Sequence, residues 1–250
     1  CVVLENTHLQ RTKKEYGIES RRCAVGLNRR RFKYPRFGED EVVVGSRTMP
    51  IEDWRRAYMS AFLLLSLYNL RISFYPIVLL KHLHDVRVTD LVTFMMDKAF
   101  DRPDEFPQFH AVVTHLHKQT QMILDGVSSV SAVDGSDGVA FTPHEAAMFL
   151  FLSNMDETYA ELPALLEAYC RRHDVDADLT VIEEAVHYQR ARIPIFASGV
   201  RIHEFRTNVA TALENIVSGL EPPPIAYRPT RTLVDHPAHE YGTEAEFNRR

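Results

Sequence analysis

The sequence predicts a mainly α protein, a helical domain preceded by a short β-containing segment. Three observations lead there. Glycine is scarce, 10 in 250 residues, where about 7% is usual. Several long passages repeat apolar residues at gaps of three and four, the spacing that puts them on one helix face. Strand-like apolar runs are few and brief. With 45% hydrophobic and 25% charged residues there is material for a sizeable core and no compositional case for disorder.

Each element can be justified in order. Residues 1–47 form a basic segment, with "VVLEN" (Val2–Asn6) as a short buried strand. "HLQRTKKEYG" reads as a brief helix stopped by Gly17, "IESRRCAVGL" as extended chain, and "EVVVGS" as another strand. Two strands of about five residues make no independently stable sheet. Residues 48–218 are the helical domain. Thr48 is the expected N-cap, with Pro50, Glu52 and Asp53 in the first turn, where acidic groups suit the helix dipole. The stripe Ile51, Trp54, Tyr58, Ala61, Leu65 and Tyr68 follows, and Pro76 is expected to end that helix before "IVLLKHLHDV".

Further helices are expected at "VTDLVTFMMDKAF", "QFHAVVTHLHKQTQMILDG", "PHEAAMFLFLSNM", "ETYAELPALLEAYCRRH" and "DLTVIEEAVHYQRARI", with Thr89, Thr142 and Asp178 as caps. Residues 126–142 are small, polar and glycine-rich, a flexible loop. "VRIHEFRTNV" returns to strand, and 219–250 is a proline-rich linker and polar tail.

Composition also excludes function classes. The most apolar passage, Ala57–Leu70, is fourteen residues broken by Ser60, Ser66 and Asn69, whereas a bilayer needs about 20 apolar residues. It reads as a buried helix, not a membrane span. Three scattered cysteines, Cys1, Cys23 and Cys170, support neither a disulfide framework nor a CxxC zinc site, and suit a reduced, cytoplasmic compartment. No long apolar run opens the chain, so no signal peptide is expected. The net charge of −5 is uneven: residues 1–36 hold ten Lys or Arg against three Glu, or +7, leaving −12 for the other 214.

Among twelve histidines only His236 and His239 have the three-residue spacing of a helical metal pair. They lie in the proline-containing tail, so structural or surface roles outweigh a metal site and no metal ligand is assigned. Glu184 and His187 share the Glu-x-x-His spacing of di-iron bundles, but a single such motif reads as a solvated helix face. No nucleophile elbow or phosphate-cradling glycine loop occurs. The run "NRRRFKYPRF" sets Arg29, Arg30, Arg31, Lys33 and Arg36 among aromatic residues. Such a run could track single-stranded nucleic acid, although a loop docking on an acidic protein surface is favoured.

The passages "KEYGIESRRCAVGLNRRRF", "VVVGSRTMPIEDWRRAYMSAFLLLSLYNL" and the terminal "EAEFNRR" resemble the region after the catalytic barrel in cobalamin-binding radical S-adenosylmethionine enzymes. Thr48, Met49, Glu52, Asp53 and Trp54 match the family's helix start, with Pro50 where serine is usual. The resemblance covers roughly residues 1–100 and, weakly, the last fifteen. It implies that this chain is the C-terminal helical cap of a methyltransferase or cyclase acting on a small molecule. The iron–sulfur cluster, S-adenosylmethionine and cobalamin would be held by upstream domains of the same polypeptide. This chain has no CxxxCxxC triplet, so alone it is expected to bind no cofactor and to catalyse nothing. Residues 1–47 would include the end of the barrel, with Asn6, Thr7 and His8 at its mouth and the basic loop along its flank. Trp54, Tyr58 and Tyr68 are expected to hold the cap together rather than touch substrate. The alternative is a self-contained helical binding module whose basic head docks on nucleic acid.

Overall fold

The computed structural model describes residues 2–3, 7–26, 37–135, 139–196 and 198–236. The protein is mainly α, as the sequence predicts. The opening helix α1 (His8–Arg11) is a single turn whose cap, Thr7, accepts from the Gln10 amide at 3.3 Å. Strands β1 (Glu19–Gly26) and β2 (Phe37–Gly45) then pair antiparallel as a ribbon, longer than the two short strands expected. Of the first expected strand, Val2 bridges Val42 and the Val3 amide donates to the Glu41 carbonyl at 2.7 Å. Residues 4–6 lie outside the described residues.

Packing against helices stabilises the ribbon that could not stand alone. Cys23, Val42 and Val44 turn inward onto Trp54 of α2 (Ile51–Leu64) and onto Ile123 of α5 (Pro107–Leu124). Thr48 does not cap α2; the cap position belongs to Pro50, because Ser46–Met49 closes its own tight bridge first. α2 continues as a π-helical turn, Leu65–Asn69.

The next break is not at Pro76. Helix α3 (Phe74–His84) already includes it in its first turn, where a missing N–H costs nothing. The chain turns instead at Leu70–Ser73, with Arg71 at φ 61°. Side chains from later helices satisfy the exposed backbone there. Gln189, fully buried, donates to the Arg71 carbonyl at 2.6 Å and accepts from the Tyr75 amide at 3.0 Å, while the Tyr159 hydroxyl donates to Ile72 O at 2.8 Å. No single helix among the described residues is long and apolar enough to cross a membrane. The α2–α3 pair, bent by 96°, has the length and composition of a broken span. Residues 75–80 of α3 are all buried within the protein.

Helix α4 (Val88–Asp101) has Arg87 at its N-cap position rather than the expected Thr89. With α2 and α5, α6 (Pro143–Ser153), α7 (Met155–Arg172) and α8 (Leu179–Arg192) it encloses the main core, centred on Leu63, Met95, Phe109, Phe151 and Leu165. Two predicted caps hold. Thr142 and Glu145 form a capping box on α6, and Asp178 accepts from the Thr180 amide at 2.8 Å on α8. The glycine-rich stretch read as a flexible loop carries a minimal ribbon, β3 (Ser131–Ala132) and β4 (Ala140–Phe141). It is pinned because Gln119 donates to the Ser129 carbonyl at 3.1 Å.

Two late elements depart from the sequence reading. β5 (Gly199–Phe205) forms as expected, but α9 (Val209–Val217) was not anticipated. Residues 219–236 of the expected tail are held in place. The proline-rich linker is tied back by Asn208, which accepts from Ala226 N at 2.7 Å and donates to Pro224 O at 3.0 Å. Strand β6 (Thr230–His236) then pairs with β5 in an antiparallel ribbon. A second core of Tyr75, Leu79, Tyr188, Phe205, Val209 and Leu213 joins this end to α3 and α8.

Candidate functional site

Of the expected barrel-mouth and basic-loop residues, the structure describes Thr7 and His8. Asn6 and the run Arg29, Arg30, Arg31, Lys33 and Arg36 lie outside the described residues. Thr7 caps α1 and His8 is exposed beside it. Other basic groups of the head are engaged within the protein. Lys13 is paired with Glu41, the Arg47 guanidinium donates to the Glu15 carbonyl, and Arg21 Nε donates to Leu124 O at 3.2 Å, at the C-terminal end of α5.

The three aromatic residues assigned to packing sit on α2 and its extension. Trp54 is 7% exposed and meets the Tyr58 ring at 5.2 Å, Tyr58 meets Phe62 at 4.4 Å, and half-buried Tyr68 rests on Phe74 at 5.2 Å. Burial, with Cys23 nearby, raises the Tyr58 phenol above its ordinary range. It remains a neutral packing group.

Chemistry gathers between the C-terminal half of α8 and the inner face of the β5–β6 ribbon. There a cavity of about 310 Å³ opens to the surface. Its basic lining is His187 and Arg190 from α8, Arg201 and His203 from β5, and His236 from β6. Apolar walls come from Met155, Ala191, Ile193 and Ile195. Strand alternation explains why this face carries polar groups: residues 201, 203 and 205 share one side of β5, and 234 and 236 lie on the same side across the ladder. Phe205 and Val234 are buried and anchor the ribbon, which carries His203 and Arg201 over α8.

The imidazoles of His187 and His203 approach at 3.4 Å between Nε2 and Nδ1, with ring planes at 75°. Desolvation lowers the pKa of both. His187, His236 and Arg201 push His203 further down, and Arg190 acts on His187 in the same sense, opposed by Glu184. Both rings are therefore held towards the neutral form, and their contact is a hydrogen bond with one N–H donor. The second nitrogen of His203, Nε2, is buried without a hydrogen-bond partner. His236 is 5% exposed. Arg190 is paired with Asp156, whose side chain is mostly exposed.

The Glu-x-x-His pair requires a correction. Glu184 is not on a solvated face; it is 5% exposed and binds the turn before α9. Its carboxylate accepts from the Arg206 amide, from Thr207 N at 3.0 Å and from Thr207 Oγ1 at 2.5 Å. Three residues on, His187 faces the cavity. Of the spaced pair His236 and His239, the second lies outside the described residues, and His236 joins histidines distant in sequence. Among the described residues no group of three or more His, Cys, Asp or Glu is arranged to hold a metal ion. The other spaced histidines diverge as expected: His115 bonds Ser131 Oγ at 2.9 Å and His117 meets Arg55 at 2.8 Å.

Period-two alternation across "VRIHEF" places Arg201 and His203 together, but nothing in the sequence pairs that strand with "TRTLVDH". Together, fold and cavity define a helical scaffold carrying a basic, half-open cleft. In comparison with known proteins, no family model and no curated protein matches this chain.

Proposed function

We propose that this chain is the C-terminal helical cap of a cobalamin-dependent radical S-adenosylmethionine enzyme, a methyltransferase or cyclase acting on a small molecule. The observation that supports this reading is where the described parts of the first two resembling passages fold. β1, β2 and the start of α2 form one joint, with Trp54 of the TMPIEDW motif clamped between Cys23, Val42 and Val44. That joint is suited to transmit a rigid connection from an upstream catalytic barrel to the helical body.

The thiols described here do not fit iron–sulfur ligands. Cys23 and Cys170 are buried in separate apolar clusters, and burial raises both thiol pKa values, whereas cluster ligands are thiolates grouped together. No catalytic step is therefore assigned to these residues, and the cofactors belong to upstream domains of the polypeptide. The test is to read the frame upstream of Cys1 in the source DNA. A continuous frame holding CxxxCxxC and a cobalamin-type domain is expected. A stop codon followed by a start codon just before Cys1 would overturn the proposal.

A further inference from the structure

We infer that the cleft between α8 and the β5–β6 ribbon is a binding site for a small organic anion, one carboxylate or phosphate head on an apolar body. This inference stands apart from the enzyme reading and does not depend on it. The first argument is charge. Among the described residues the lining holds two guanidiniums and three imidazoles and no carboxylate. Asp156, the one acidic group paired with a lining residue, engages Arg190 from an exposed position, and Arg201 has no ion pair among the described residues. An unneutralised cation beside desolvated imidazoles is stabilised when an anion enters, since a charge-assisted hydrogen bond replaces lost solvation.

The second argument is shape. A cavity of about 310 Å³ lies at the lower end of the range usual for small-molecule sites, about 300–1,000 Å³. Its walls of Met155, Ala191, Ile193 and Ile195 suit an apolar body rather than a hydrated inorganic ion. The third is Nε2 of His203, which is buried without a hydrogen-bond partner among the described residues. Buried polar nitrogens in folded proteins are almost always hydrogen-bonded. A modest reorientation of this partly exposed ring, or its protonation, lets it donate to the incoming head.

Binding should then carry a proton. The groups facing His203 are His187 from α8, Arg201 on its own strand and His236 from β6; those facing His187 are Glu184 and Arg190. Burial holds the His203 imidazole below its usual value. A bound anion favours the charged ring and raises it, so a proton is taken up between the two values. Affinity therefore rises as pH falls, by up to about tenfold per pH unit for one coupled proton.

The experiment is calorimetric titration with hexanoate, phenyl phosphate and inorganic phosphate at pH 7.5 and 6.0, with histidine imidazole resonances followed by NMR. Saturable binding of hexanoate or phenyl phosphate is expected, tighter at pH 6.0, shifting the resonances of His203 and His187 but not His82. The preferred organic probe tells a carboxylate head from a phosphate head. Arg201→Gln, on an exposed strand position, should weaken binding about tenfold, while Lys81→Gln leaves it unchanged. The NMR shifts in the unaltered protein report the site even if the variant misfolds. Absence of saturation by both organic probes would overturn the inference. So would equal affinity for inorganic phosphate, or Zn²⁺ binding at His187 and His203 without any anion binding.

Discussion

The two main ribbons of this protein have the same antiparallel form and opposite interiors. The β1–β2 ribbon turns Cys23, Val42 and Val44 onto Trp54 and Ile123 and keeps Glu41 outside, partly exposed and paired with Lys13 from the turn before β1. The β5–β6 ribbon anchors itself with Phe205 and Val234, then places Arg201, His203 and His236 on the same inner face. Its outer face carries Val200, Ile202 and Leu233, each more than 60% exposed. The first ribbon is a joint whose inner face is used for packing. The second gives up part of its packing face to titratable groups, which is the pattern of a site rather than of a core.

That contrast can be broken or sharpened by substitution. The largest effect is expected at the first ribbon. Trp54→Ala removes the residue on which Cys23, Val42 and Val44 converge and should cost about 3–5 kcal/mol in urea unfolding. A loss below about 1 kcal/mol would mean that the joint is not a core. Next is Glu184→Ala, which strips three donors at the turn before α9 of their acceptor and should cost about 2–3 kcal/mol, since hydrogen bonds to a charged group are worth about that much. Circular dichroism and unfolding would show it, and Glu184→Gln should recover part of the loss. The smallest effect belongs to the outer face of the second ribbon. Ile202→Thr changes an exposed side chain and should stay within about 0.5 kcal/mol of the parent. A larger cost would mean that this face is covered.

Much of the helical body was legible in the sequence because its signals are local. The helix from Ile51 and the caps Thr142 and Asp178 each rest on residues within one or two turns, and each forms, although Ala61 of the expected stripe is exposed and its last turn, Leu65–Asn69, is π-helical. The cleft was not legible. His187, His203 and His236 lie 16 and 33 residues apart along the chain, and neither spacing shares a helix face or a strand. Residue 184 misled for a similar reason: a glutamate on a polar-looking helix reads as solvated until the turn at 206–207 is folded over it.

By itself the sequence determined the fold class, most helix positions and two of the four expected caps, since propensity, periodicity and side-chain capping are short-range effects. Tertiary structure alone decided the rest. Gln189 and Tyr159 satisfy the break at Leu70–Ser73 from more than 80 residues away, so the chain turns there and not at Pro76. β6 likewise became a strand only by pairing with β5 across the tied-back linker, and that pairing closes the cleft with His236. A backbone hydrogen bond needs a partner, and where that partner is distant in sequence only the folded chain can supply it.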